Sequence, residues 1–159
     1  MIGRGLAMFA SVLGVALLCG LAVGQTQDVV YRSVSSEKLE SILKELEITY
    51  KKAPGKKDDI FSYDFERKGT KIRLYNYGGE DLWIESDFTE KANLEEVNRW
   101  NMRAKFSRAV LVKDGDSATI SLESQVDCTL GITDGMMRQF VQRFDGEIQA
   151  FANFLRGPK

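Results

Sequence analysis

The chain has 159 residues, no histidine, and a near balance of 22 basic and 23 acidic residues. The missing histidine removes Ser-His-Asp and Cys-His catalysis, His-ligated zinc and the commonest general base near neutral pH. Two cysteines, Cys19 and Cys128, are too few for a thiolate zinc cluster, and a net charge of −1 gives no footprint for nucleic acid or an anionic membrane.

Met1 to Gly24 has the form of an export signal. Arg4 supplies the positive end, Gly5 to Val23 is apolar or small apart from Ser11, and Ala22-Val23-Gly24 places small residues ahead of Gln25. Leu18 stands before Cys19 where a lipoprotein would need a small residue. The run is long enough to cross a bilayer, so the alternative to cleavage is an N-terminal anchor, the one route by which a membrane enters. The expectation is an exported chain, periplasmic or secreted, beginning at Gln25. Losing Arg4 leaves 21 basic against 23 acidic residues, a net of −2, and Cys128 as the remaining thiol. It can form no internal disulfide and reads as a small core hydrophobe.

Residues 25–34 read as a polar lead, and 35–159 as a single α+β domain. Ser35 or Ser36 caps a first helix with Leu39, Ile42, Leu43 and Leu46 on one stripe. Glu47 to Lys51 alternates as a strand, and Ala53-Pro54-Gly55 breaks it. With Lys68-Gly69 as a two-residue hairpin loop, Phe65 faces Ile72, Tyr63 faces Leu74 and Phe61 faces Asn76. The other face then pairs Glu66 with Lys71 and Asp64 with Arg73. A three-residue loop at Gly78-Gly79-Glu80 continues the register: Leu74 meets Ile84, Arg73 meets Glu85, Lys71 meets Asp87 and Tyr75 meets Trp83. A one-residue slip would invert every pair, so this meander is well specified.

Asn93 and Glu96 have capping-box spacing and open a short helix whose stripe is Leu94, Val97, Trp100 and Asn101. Asn98 and Asn101 flank the indole, and their amides are expected to hold the crossover into the next strand. Asp114-Gly115 marks a hairpin that places Ala109 and Leu111 opposite Ile120 and Ala118. Thr133 caps the last helix, with Ile132 set to staple onto Met137. Met137, Phe140, Val141, Phe144, Ile148, Phe151 and Leu155 form its apolar stripe, and Gly146 inside it suggests that another backbone approaches. The order α-β-β-β-β-α-β-β-α implies an antiparallel sheet, meander plus hairpin, with helices on one face.

The sequence contains neither a phosphate loop nor a nucleophile elbow, and carboxylate pairs such as Glu95-Glu96 point to different helix faces. Two patches remain. Tyr75, Tyr77 and Trp83 fall on the sheet face away from the helices, where aromatics rimmed by charge mark a partner site or a dimer contact. Trp100, Arg103, Lys105, Phe106 and Arg108 interleave basic and aromatic residues, which in a slightly acidic exported chain reads as packing plus solvated charge.

Asn98-x-Trp100-Asn101, Phe106-Ser107-Arg108-Ala109, the Gly115 turn, Leu122-Glu123-Ser124 and Gly131-Ile132-Thr133 before Phe140, Phe144 and Phe151 resemble the YbjN family of bacterial sensory transduction regulators. The chain departs from that pattern at Val110, Gln125 and Leu130. The resemblance implies a fold similar to type III secretion chaperones, often dimeric, with no catalytic residues. It makes Asn98, Trp100, Asn101, Phe106, Arg108, Gly131 and Thr133 structural motif positions. The resulting expectation is a non-enzymatic domain that needs no cofactor or metal and holds a protein partner, or a second copy of itself, through Tyr75, Tyr77 and Trp83. The rival is a small-ligand carrier or carboxylate-based enzyme with a pocket near Trp100.

Overall fold

A computed structural model describes residues 28–89, 93–114 and 117–157; the export signal read in Met1–Gly24 and the Gly115 turn lie outside the described residues. The elements are β1 (Val30–Tyr31), α1 (Ser36–Glu45), β2 (Tyr50–Pro54), β3 (Ile60–Arg67), β4 (Thr70–Tyr77), β5 (Asp81–Phe88), α2 (Leu94–Asn101), β6 (Arg108–Asp114), β7 (Ser117–Asp127), β8 (Ile132–Thr133) and α3 (Asp134–Arg156). This is the expected order plus two short strands. β2 to β7 build one antiparallel sheet of six strands, in the order β2-β3-β4-β5-β7-β6, and β1 pairs with β8.

The meander adopts the predicted register. Phe65 pairs with Ile72, Tyr63 with Leu74 and Phe61 with Asn76, while Leu74 meets Ile84 and Tyr75 meets Trp83. One expected pair fails. The β4–β5 ladder stops at Arg73–Glu85, and the Ser86 hydroxyl donates to the Lys71 carbonyl at 2.8 Å where a Lys71–Asp87 rung was expected. The β6–β7 hairpin is also displaced by two residues: Ala109 meets Leu122, and Leu111 meets Ile120. A shift of two preserves the alternation of sides, so Ala109, Ile120 and Leu122 are still buried.

The strand expected at Glu47–Lys51 begins later. Glu47 takes a left-handed turn (φ 55) after α1, and β2 runs through Ala53 and Pro54. Pro54 is tolerated because β2 is an edge strand, where a missing N–H breaks no ladder. The polar lead is also more structured than its composition suggests. Val34 is fully buried and its N–H donates to the Gly79 carbonyl at 2.9 Å. The buried Asn76 amide binds both sides of this junction, donating to the Val34 carbonyl and accepting from the Gly79 N–H, each at 2.7 Å.

The helices cover one face. Leu39, Ile42 and Leu43 of α1, Val97 and Trp100 of α2, and the α3 stripe share a core with Tyr63, Leu74, Ile84 and Leu122. Ser35 caps α1, Asn93 and Glu96 form the capping box of α2, and Thr133 accepts from the Met136 N–H at the start of α3. Leu94 departs from the expected stripe: it lies in the first turn and is 60% exposed. Cys128 is buried, and burial, followed by Asp81 and Asp127, pushes its thiol up to about 11.

Gly146 lies inside α3, yet no backbone approaches it. A Cβ there would meet open space. Gly131 is the opposite case: it holds φ +112, and a Cβ would lie 2.6 Å from the Val30 Cγ1 of β1. Gly146→Ala is therefore expected to raise unfolding stability by about 1 kcal/mol through helix propensity. Gly131→Ala is expected to lower it by about 1–3 kcal/mol through backbone strain, and urea titration reads both. A thiol reagent should leave Cys128 unmodified in the folded Gln25–Lys159 chain and label it fully in denaturant; rapid native labelling would contradict a buried thiol.

Candidate functional site

Alternation along each strand sends Tyr75, Tyr77 and Trp83 to the face away from the helices. Tyr75 and Tyr77 stack with centroids 5.6 Å apart. Trp83 of β5, opposite Tyr75, lies under the Arg108 guanidinium, which sits 5.4 Å from its ring. Tyr77 is the exposed member at 39%, while Tyr75 and Trp83 are partly buried by charged neighbours. The aromatic surface offered to a partner is thus narrower than expected and centres on Tyr77. Beside Trp83 a cleft of about 380 Å³ opens between Lys105, Arg108 and Gln125.

Next to the aromatics a charged row crosses all six strands: Lys51, Asp64, Arg73, Glu85, Glu123 and Arg108. Arg73 grips Asp64 with two donors, at 2.5 and 3.1 Å. Arg108 donates to Glu123 at 2.6 Å, so the same guanidinium caps Trp83 and closes the row. Glu85 and Glu123 face each other directly, a like-charge pair. The Tyr75 hydroxyl donates to Glu85 at 3.0 Å. The Trp83 indole N–H is close enough to favour the charged form of Glu85 but makes no hydrogen bond.

The motif positions around α2 join elements. Asn101 clamps the Ala109 backbone of β6 from both sides, donating to its carbonyl at 3.0 Å and accepting from its N–H at 2.8 Å. Asn98 was expected to share that work; it is exposed, and its side chain makes no hydrogen bond among the described residues. Trp100 is buried against Phe151, 4.9 Å between centroids, and Phe154, at 5.6 Å. Phe106 meets Phe140 edge-on at 5.8 Å, and its carbonyl accepts from the Ser124 hydroxyl at 2.8 Å. Gly131 admits β1, and Thr133 caps α3.

The space near Trp100 is an open groove of about 1060 Å³ between α2 and α3. The interleaved basic and aromatic stretch is divided by the fold: Arg103 lines this groove, Lys105 borders both it and the cleft beside Trp83, and Arg108 lies on the sheet face. Sequence reasoning missed Arg143 and Phe154, which line it from α3. Their spacing marked them as flanks of the apolar stripe, but α2 lies far away in sequence and its position was not readable.

Burial holds the Glu85 carboxyl above its ordinary value; the Tyr75 hydroxyl opposes this, Asp87 adds to it and Arg73 opposes it. A raised folded pKa means that stability is fully present below the ordinary value of 4.5 and is lost as pH rises through the folded value. Glu85→Gln is therefore expected to be more stable than wild type at pH 7, with the gap closing in acid. Thermal melts across pH decide it; a gap that widens as pH falls would be the contrary result.

The sequence profile of the YbjN family, described as "Putative bacterial sensory transduction regulator", matches residues 35–157. Among solved structures the fold is similar to YbjN, "a putative transcription regulator from E. coli", with TM-score 0.59 and 12% identity over 76% of this chain and 88% of that one. A second likeness, TM-score 0.47 and 15% identity over 71% of this chain and 95% of that one, is to the Yersinia pestis type III secretion chaperone SycH in complex with a stable fragment of YscM2. No curated protein matches the chain. The match over residues 35–157, on an α+β sheet with helices on one face, shows that the chain belongs to the YbjN family.

Proposed function

We propose that this chain is a non-enzymatic, exported protein-binding domain that holds a segment of a partner protein on its outer sheet face. One observation carries this reading. All the core-forming helices pack on one side of the sheet, and the other side offers Tyr77 beside Tyr75 and Trp83, rimmed by a paired charge row. An aromatic centre within a polar rim is the anatomy of a protein interface. The rim charges are largely neutralised by one another, which suits register and specificity more than long-range attraction.

Export follows from the N-terminal segment, with the domain free in the periplasm or secreted once that segment is removed, or tethered if it stays. The absence of histidine from the sequence and the family's regulatory character support binding over catalysis. A second copy of the chain is the alternative occupant of the same face.

Tagged Gln25–Lys159 should recover a stoichiometric protein from cross-linked envelope extract, while Tyr77→Ala and Trp83→Ala should weaken capture about tenfold or more, as loss of an interface aromatic does. Tyr77 is exposed, so its variant should melt as wild type does and report binding alone. Equal recovery by both variants would remove the outer face from consideration. Recovery of the chain alone, with mass rising with concentration, would replace a foreign partner by a homodimer.

A further inference from the structure

The α2–α3 groove is chemically unlike the sheet face. Two carboxylates line it, and both are engaged within the fold. Glu96 accepts from the Asn93 N–H in the capping box and lies 3.8 Å from Arg99; Glu147 accepts from the Ser107 hydroxyl at 2.5 Å. Of the cations that line it, Arg99 is the one paired with Glu96, and Arg103 donates its Nε–H to the Arg99 carbonyl at 3.3 Å. Among the described residues no carboxylate pairs with Arg103, Lys105 or Arg143, all three of which are exposed.

Two of these guanidinium groups are held by aromatic rings. Arg103 lies 4.9 Å from the Phe154 centroid and Arg143 lies 4.6 Å from the Phe106 centroid. A guanidinium lying over a ring can still direct N–H donors to a carboxylate; in Arg103 these are the terminal nitrogens, since Nε is engaged. A second, independent feature points the same way. Trp100 is 5% exposed, lines the groove, and its Nε1–H has no hydrogen-bond partner among the described residues. A buried donor left unmatched is costly, and an incoming acceptor would relieve that cost.

We propose that this groove docks an acidic, extended segment of a partner protein, its carboxylates received by Arg103, Lys105 and Arg143. The open groove, lined from both α2 and α3, suits a peptide segment better than an enclosed small molecule. A nucleic acid is disfavoured because the sequence is net acidic and basic side chains on the sheet face, Arg73 and Arg108, are already paired with carboxylates. The site lies between the helices and does not depend on the outer-face reading.

The test uses Gln25–Lys159 and fluorescence anisotropy with three labelled probes: oligoglutamate, oligolysine and oligothymidine. Oligoglutamate is expected to bind, to weaken as salt rises, and to lose affinity about tenfold or more in Arg103→Gln/Arg143→Gln. Tyr77→Ala should leave that binding unchanged. The Lys105→Glu variant, altered at an exposed position, gives a second charge test should the double variant melt early. No binding of oligoglutamate, equal binding by both groove variants, or tighter binding of oligothymidine would each overturn the proposal.

Discussion

Strand register in the meander is the constraint on which the rest of the molecule depends. Pairing Tyr63 with Leu74 and Leu74 with Ile84 puts Phe61, Tyr63, Phe65, Ile72, Leu74, Leu82 and Ile84 on the helix side. The same pairing forces Asp64, Arg73 and Glu85 into one row on the other side. A slip by one residue would bury that row and expose the core, so the two demands reinforce each other. β7 extends the pattern by pairing with β5 along eight residues, so Leu122 falls on the helix side and Glu123 on the outer side. The helices then have a single surface on which to pack.

The corner at α2 turns this sheet into a molecule with two distinct surfaces. β5 and β6 are separated by β7, so the chain must cross the sheet between them. Trp100 anchors the crossing by packing on Phe151, and Asn101 fixes its exit by satisfying both backbone groups of Ala109. These are neighbouring residues on one short helix with different tasks. The indole faces the core, and the amide replaces a rung that no strand could supply. Ser107 and Ser124 complete the corner, bonding Glu147 and the Phe106 carbonyl. The groove exists because α2 is held by its end and one large side chain, leaving Arg103 and Lys105 beyond it.

Much of this was legible in the sequence because period-two patterning and turn glycines act locally. The Lys68-Gly69 turn, the charge rows and the capping box each needed only a few neighbouring residues. The errors occurred where a choice was set by distant contacts or by an equivalent local alternative. The β6–β7 hairpin could close one residue later without changing which side any residue faces, so patterning had no power to decide. Pro54 read as a breaker because nothing local reveals that β2 is an edge. Gly146 suggested a close approach, yet the facing space is empty, so its presence has no packing explanation. On the sheet face, the side on which Tyr75, Tyr77 and Trp83 lie was readable. That Arg108 would cover Trp83 was not, since it arrives from a strand two places away.

The two surfaces differ most in how their charges are matched, and that difference bears on how each could recognise a partner. On the outer face Asp64 holds Arg73 and Glu123 holds Arg108, so a partner must displace or frame existing pairs, and selectivity there rests on shape around Tyr77. In the groove Arg103 and Arg143 lie over rings, and no carboxylate among the described residues pairs with them or with Lys105, so a partner's carboxylate need displace no ion pair. Salt should therefore weaken recognition at the groove more than at the sheet face, because unpaired surface charge is what screening removes. An acidic segment finds Arg103, Lys105 and Arg143 in the groove without a carboxylate partner among the described residues, which favours that place without requiring high affinity.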